Sequence, residues 1–177
     1  MEHPMGRIFR SNFLSPRFFA AGAWGILCAC ICAPPILASA GCPVAAAFLT
    51  CMFSPVCHQI PARSFWFLGL PLAVCHRCFG IYLGLFLGSL IRNPWMHRSN
   101  RTRRIWVLAA IAPLAFDALL PCSGLWDNTP ASRFATGLLF GIPIASLLVR
   151  GIEEFLMEAP WRRIAAGNSL LKEASCE

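Results

Sequence analysis

Charge is scarce in this chain. Only 13% of its 177 residues are Asp, Glu, Lys or Arg, against about 25% in an ordinary soluble domain, while 57% are apolar. That composition argues against a soluble protein. Lysine is almost absent, since every one of the 15 basic residues except Lys172 is arginine, and only 8 acids oppose them. The low hydrophobicity that disorder requires is missing too, because mean hydropathy is +0.61. Also lacking are a G-x-x-x-x-G-K-[ST] loop, an H-E-x-x-H pair and a Ser-His-Asp set with a nucleophile elbow. Nucleotide-hydrolysing, metalloprotease and serine-hydrolase readings therefore have no motif behind them. No repeat of fixed period and no low-complexity run is visible, and the length leaves room for one bundle of a few spans at about 20 residues each.

What the chain does have is apolar runs separated by arginine. A basic head, residues 1–17, carries Arg7, Arg10 and Arg17. Four spans are expected, at about residues 18–40, 71–91, 105–120 and 134–149, each long enough to cross or nearly so. Pro34-Pro35 is expected to kink or end the first span near the outer surface. Its end, Ala38-Ser39-Ala40, has the small residues of a signal-peptidase site, but the apolar core is longer than the usual 7–15 residues, so retention is expected. Residues 43–56 are apolar but too short to span and read as an interfacial or re-entrant helix.

The clustering of Arg92, Arg98, Arg101, Arg103 and Arg104 between two spans fixes a topology by the positive-inside rule. The head, the five-arginine loop and the tail 151–177 face the cytoplasm, and segments 41–70 and 121–133 face out. The same placement makes the excess positive charge a topological signal rather than a nucleic-acid surface. The expected fold is thus an all-α integral membrane protein of the cell (inner) membrane, a four-span helical bundle over residues 18–150 with one short outer-side helix and both termini inside.

That topology brings polar residues from distant stretches to one outer end: Cys57, His58, Gln59, Arg63, Cys75, Arg77, Cys78, Asp117, Asp127 and Arg133. At about 100° per residue, Cys75, Cys78 and Tyr82 share one helix face, and Gly80, Gly84 and Gly88 share the opposite one. The glycines form a small-xxx-small ridge, matched by Gly137, Gly141 and Ala145, suited to helix contact within the chain or between copies. Cys57-His58 together with Cys75-His76-Arg77-Cys78 supplies soft ligands at spacings fit for tetrahedral zinc or for copper. Cys57, His58, Cys75 and Cys78 are the candidate ligands. Packing as small hydrophobes is the other reading of these cysteines and the expected one for Cys28, Cys30 and Cys32. Asp117, costly in a membrane, is expected to face the interior with Arg133 as its natural partner. Arg63 and Arg77 suit an anionic headgroup, a carboxylate or a quinone oxygen, or else snorkel to the interface. His3 and His97 read as solvated loop residues.

The blocks Cys57-His58-Gln59-x-Pro61-x-Arg63-Ser64-Phe65 and Cys75-x-Arg77-Cys78-x-Gly80-Ile81-Tyr82-x-Gly84 resemble an uncharacterised prokaryotic family of predicted membrane proteins, domain of unknown function 2085. The similarity extends through Asp117 to Arg133-x-x-Thr136-Gly137-x-x-x-Gly141, covering about residues 50–145. Two positions depart from the family pattern: Ala118 stands where glycine is usual, and Asp127-Asn128-Thr129 where a Ser-Thr-Asn stretch is usual. The resemblance implies a membrane location and singles out the same residues, but carries no assigned reaction.

Three functions fit the sequence. The first is a small membrane protein whose outer Cys/His cluster binds zinc or copper. The second is a membrane thiol-disulfide oxidoreductase passing electrons to quinone, with Cys78 or Cys57 resolving a mixed disulfide at Cys75 and Cys122 as a candidate outer-loop thiol. The third is a non-enzymatic membrane subunit or lipid-binding protein in which the polar cluster is structural.

Overall fold

The computed structural model describes residues 16–91, 100–124 and 128–158. The head before residue 16, His97, Arg92, Arg98, Asp127 and the tail beyond residue 158 lie outside these residues.

Helix α1, Pro16–Ser39, is a 24-residue apolar helix, and α2, Pro43–Met52, follows it after a turn at Gly41. Pro34 and Pro35 lie buried within α1, which continues through both to Ser39 rather than ending there. Gln59 then turns the chain at φ +52°, and a 3₁₀ turn at Pro61–Arg63 leads into strand β1, Ser64–Phe67. Strand β2, Leu70–Cys75, pairs with β1 antiparallel. Leu68 and Gly69 join them with φ of +52° and +77°, the two consecutive left-handed residues of a tight hairpin turn matched to strand twist. Helix α3, His76–Leu90, begins directly at the end of β2. Helix α4 is Asn100–Leu119 and α5 is Pro130–Glu158. Thr129 caps α5, its hydroxyl accepting the Ser132 amide at 3.1 Å, with Pro130 at the first helical position.

The expected all-α, four-span bundle is not what the chain forms. Residues 64–75 make a hairpin, so the run read as a second span is a strand followed by a helix of only 15 residues. At 1.5 Å per residue that helix is about 22 Å long, short of the roughly 30 Å of hydrocarbon. Helix α4 is long enough, but its 20 residues start inside the basic loop and include Arg101, Arg103, Arg104 and Asp117. Among the described residues only α1 and α5 have both the length and the apolarity to cross a membrane, with mean hydropathies of 1.8 and 1.7 over their best windows.

The glycine ridges determine how the helices meet. Gly80 of α3 faces Phe134 and Leu138 of α5, Gly84 faces Leu138 and Gly141, and Gly88 faces Ile142 and Ala145. Residue numbers rise together, so α3 and α5 run parallel in close backbone contact, their N-termini side by side. Helix α1 packs on α3 with Trp24 against Tyr82 at 6.4 Å between ring centroids and Gly25 beside Phe86; Arg17 beside Glu153, and Cys32 and Ile36 sharing a cavity wall with Phe134, make it antiparallel to α5 and so to α3. A core of Ile31, Phe53, Cys57, Ala73 and Val74 ties α1, the α2 end and β2 together.

Candidate metal-binding thiol site

Three cysteines meet where β2 becomes α3. Cys57 is 5% exposed, and its sulfur accepts the backbone amides of Cys75 at 3.2 Å and Gln59 at 3.5 Å. The left-handed turn that lets the Gln59 amide reach back is held by its side chain, whose Nε2 donates to the Thr50 carbonyl at 2.6 Å and the Ala73 carbonyl at 2.9 Å. Gln59 is therefore a clamp between α2 and β2 rather than a wall of the site.

Cys75 sits at the N-cap of α3, and Cys78 one turn on, with their sulfurs 3.5 Å apart. The ligand atoms of Cys57, Cys75 and Cys78 all lie within 4.8 Å of one another. The Cys78 thiol donates to Cys75 and pulls its pKa down to about 5; burial opposes this, and the Cys57 thiol and the amides of Cys78 and Arg77 reinforce it without closing a capping hydrogen bond. The pKa of Cys78 moves the other way, raised by giving up its hydrogen to Cys75 and by burial.

A cavity of about 530 Å³ opens over the thiols, lined among others by Cys57, His58, Arg63, Cys75, Arg77, Cys78, Asn128 and Arg133. His58 is exposed on this wall and does not join the close group of three sulfurs. Tyr82 lies one turn beyond Cys78, packed on Trp24 and Phe53 behind the thiols. His76 turns away into the aromatic packing, its ring 4.4 Å from that of Phe65 and only 4% exposed. Burial, then the charge of Arg133, pushes its imidazole toward the neutral form.

Asp117 is buried as expected, but its partner is Arg77, not Arg133. The Arg77 guanidinium bonds both the carboxylate and the backbone carbonyl of Asp117, and Asn128 donates to that same carbonyl. The correction has a geometric cause: Arg77, in the first turn of α3, meets the C-terminal part of α4, while Arg133 opens onto the cavity. Asn128 escaped the sequence reading of the site. Its only signal was a position just before the Thr129-Pro130 helix start.

By length and composition α1 and α5 could each cross a membrane, and a three-thiol cluster lies at one end of them. The family described as predicted membrane protein (DUF2085) matches residues 57–147, just over half of the chain, and the chain belongs to that family. An uncharacterized protein of Methanocaldococcus jannaschii is 34% identical over 99 residues, which are 54% of this chain and 63% of that one. Another from Methanothermobacter thermautotrophicus is 34% identical over 100 residues, 56% of this chain and 90% of that one. The match thus spans less than two thirds of the first relative's length. No solved structure matches.

Proposed function

We propose that this is a cell-membrane protein whose Cys57, Cys75 and Cys78 bind one soft metal ion, zinc in a structural role or cuprous copper in handling. The observation that carries this reading is the sulfur spacing. Tetrahedral thiolates at about 2.3 Å from zinc stand about 3.8 Å apart, whereas a disulfide needs about 2.05 Å. The 3.5 Å between Cys75 and Cys78, with all three ligand atoms within 4.8 Å of one another, is close to the first value. Three thiolates leave a fourth position, for which His58 on the cavity wall is the candidate protein ligand. Both termini lie on the cytoplasmic side and the thiol end faces out. That the start of α1 and the end of α5 share one side is supported by Arg17 standing 3.8 Å from Glu153, and the arginines of the head and of the 92–104 cluster favour the cytoplasm for that side.

The test is elemental analysis of protein purified in mild detergent without a metal-affinity step, beside the Cys75→Ser, Cys78→Ser variant. About one zinc or copper per wild-type chain, lost in the variant, is the expected result. Equal metal content in both would refute the reading.

A second function, membrane thiol-disulfide oxidoreductase, is favoured by the depressed pKa of Cys75 beside Cys78. In that scheme a substrate dithiol reduces a Cys75–Cys78 disulfide, and two electrons and two protons then pass to a quinone as the pair is reoxidised. Alkylation mass shifts showing all three thiols reduced after aerobic preparation would count against it.

A further inference from the structure

The charge at the thiol end is lopsided. Parallel α3 and α5 present two helix N-termini side by side, each equivalent to about half a positive charge, and neither has an acid in its first turn. Arginine occupies these starts instead, Arg77 in the first turn of α3 and Arg133 just after that of α5. Arg63 joins them from the 3₁₀ turn, and all three line the same cavity. Asp117 is committed to Arg77. Among the described residues, no carboxylate lines the cavity and neither Arg63 nor Arg133 has an ion-pair partner. Three thiolates on a divalent ion would carry a single negative charge, so the two arginines leave one positive charge in excess with zinc bound, whereas a cuprous ion would leave the thiolates balancing both.

Arg63 is exposed and Arg133 half-buried, so both keep water access as a snorkelling arginine does; snorkelling does not explain why the two come from separate elements onto one cavity. Nor is the space that of a lone metal and its water. About 530 Å³ falls within the roughly 300–1,000 Å³ of small-ligand sites and is many times the roughly 30 Å³ share of a water molecule.

We infer that this cavity is a receptor for a phosphate-type oxyanion, gripped by Arg63 and Arg133, with the thiol cluster forming its wall. Guanidinium forks match phosphate oxygens two at a time. The oxyanion comes either as free phosphate or as the headgroup of an anionic lipid. The inference stands on the arginines and the helix ends and does not require that the thiols hold a metal.

The experiment uses the full chain in mild detergent with two probes. Equilibrium dialysis measures labelled inorganic phosphate, and native mass spectrometry counts retained phosphatidylglycerol against phosphatidylcholine. Wild type is compared with Arg63→Gln, Arg133→Gln and, from the far end of α5, Arg150→Gln. Saturable binding of about one phosphate per chain identifies the free anion as the ligand; selective retention of phosphatidylglycerol identifies the lipid headgroup. In either case Arg63→Gln and Arg133→Gln each weaken binding about tenfold or more, as expected for losing a charge-assisted contact, while Arg150→Gln leaves it unchanged. Arg63→Lys and Arg133→Lys, which keep the charge, bind between wild type and the glutamine variants, so a folding defect is told apart from a lost contact. Failure of both probes to bind overturns the inference, as does binding undiminished in both glutamine variants. Repeating the measurements on chelator-treated wild type separates the two readings: anion binding by a metal-free protein leaves this inference intact and touches only the metal assignment.

Discussion

Cys75 and Cys78 sit a single helical turn apart, yet their proton affinities are driven in opposite directions. In metal-free protein the Cys75 thiolate persists down to a pKa of about 5, well below the ordinary thiol value of about 8.5. Iodoacetamide modification of Cys75, followed site by site by peptide mass spectrometry, is therefore expected to hold a plateau through neutral pH and to fall tenfold per pH unit only below about 5. Cys78, raised, stays unreactive at neutral pH; a Cys75 midpoint near 8.5 would contradict this assignment. The Arg77–Asp117 pair makes a second residue-scale prediction. Asp117→Asn leaves a half-buried guanidinium without its counterion and should cost about 2 kcal/mol of stability, whereas Arg133→Gln should change thermal unfolding by no more than about 0.5 kcal/mol. The thiols were legible in the sequence because Cys-x-x-C at a helix start is a local pattern. The identity of the aspartate's partner was not, because it depends on how α4 is rotated against α3, and no spacing encodes that.

At the scale of elements, the glycine ridges are the clearest case of sequence specifying contact. A Cβ on Gly84 would lie 2.6 Å from the Leu138 carbonyl oxygen and 2.9 Å from the Gly141 Cα, both backbone atoms that cannot swing aside. Gly84→Ala must push the helices apart and is expected to destabilise by at least about 2 kcal/mol. Gly151→Ala, with nothing within 4 Å, is expected to be neutral or to gain up to about 1 kcal/mol from helix propensity. Thermal unfolding of both variants in the same detergent checks the contrast. The hairpin was not legible, since its strands are apolar on both faces and thus lack the alternation that marks a half-buried strand. Its turn is Leu68-Gly69 rather than Asn-Gly, which removes the usual signal. The remaining clue was Pro71, out of place in a helix interior and admissible in a strand at an edge.

For the whole molecule, the arginine distribution predicts sides that a labelling experiment can test, but it does not give the number of crossings, which depends on where each helix starts. The five-arginine cluster was read as a loop, yet α4 begins within it. Cys42 and Cys51 are exposed where α1 ends and α2 runs. With the thiol end facing out, a membrane-impermeant maleimide labels them in intact cells; labelling only after permeabilisation would reverse the orientation. The parallel packing of α3 on α5 also bears on the order of assembly. It joins residues more than fifty positions apart, as between Gly80 and Phe134, and contacts of long separation form late because chain closure must precede them. During synthesis Cys57, Cys75 and Cys78 emerge well before the first turns of α5. The nascent chain therefore passes through an interval in which its thiols are gathered while the Arg133 wall and the seat for the glycine ridge do not yet exist. In that interval mispairing of cysteines, or capture of the bare ridge by another helix, competes with correct folding.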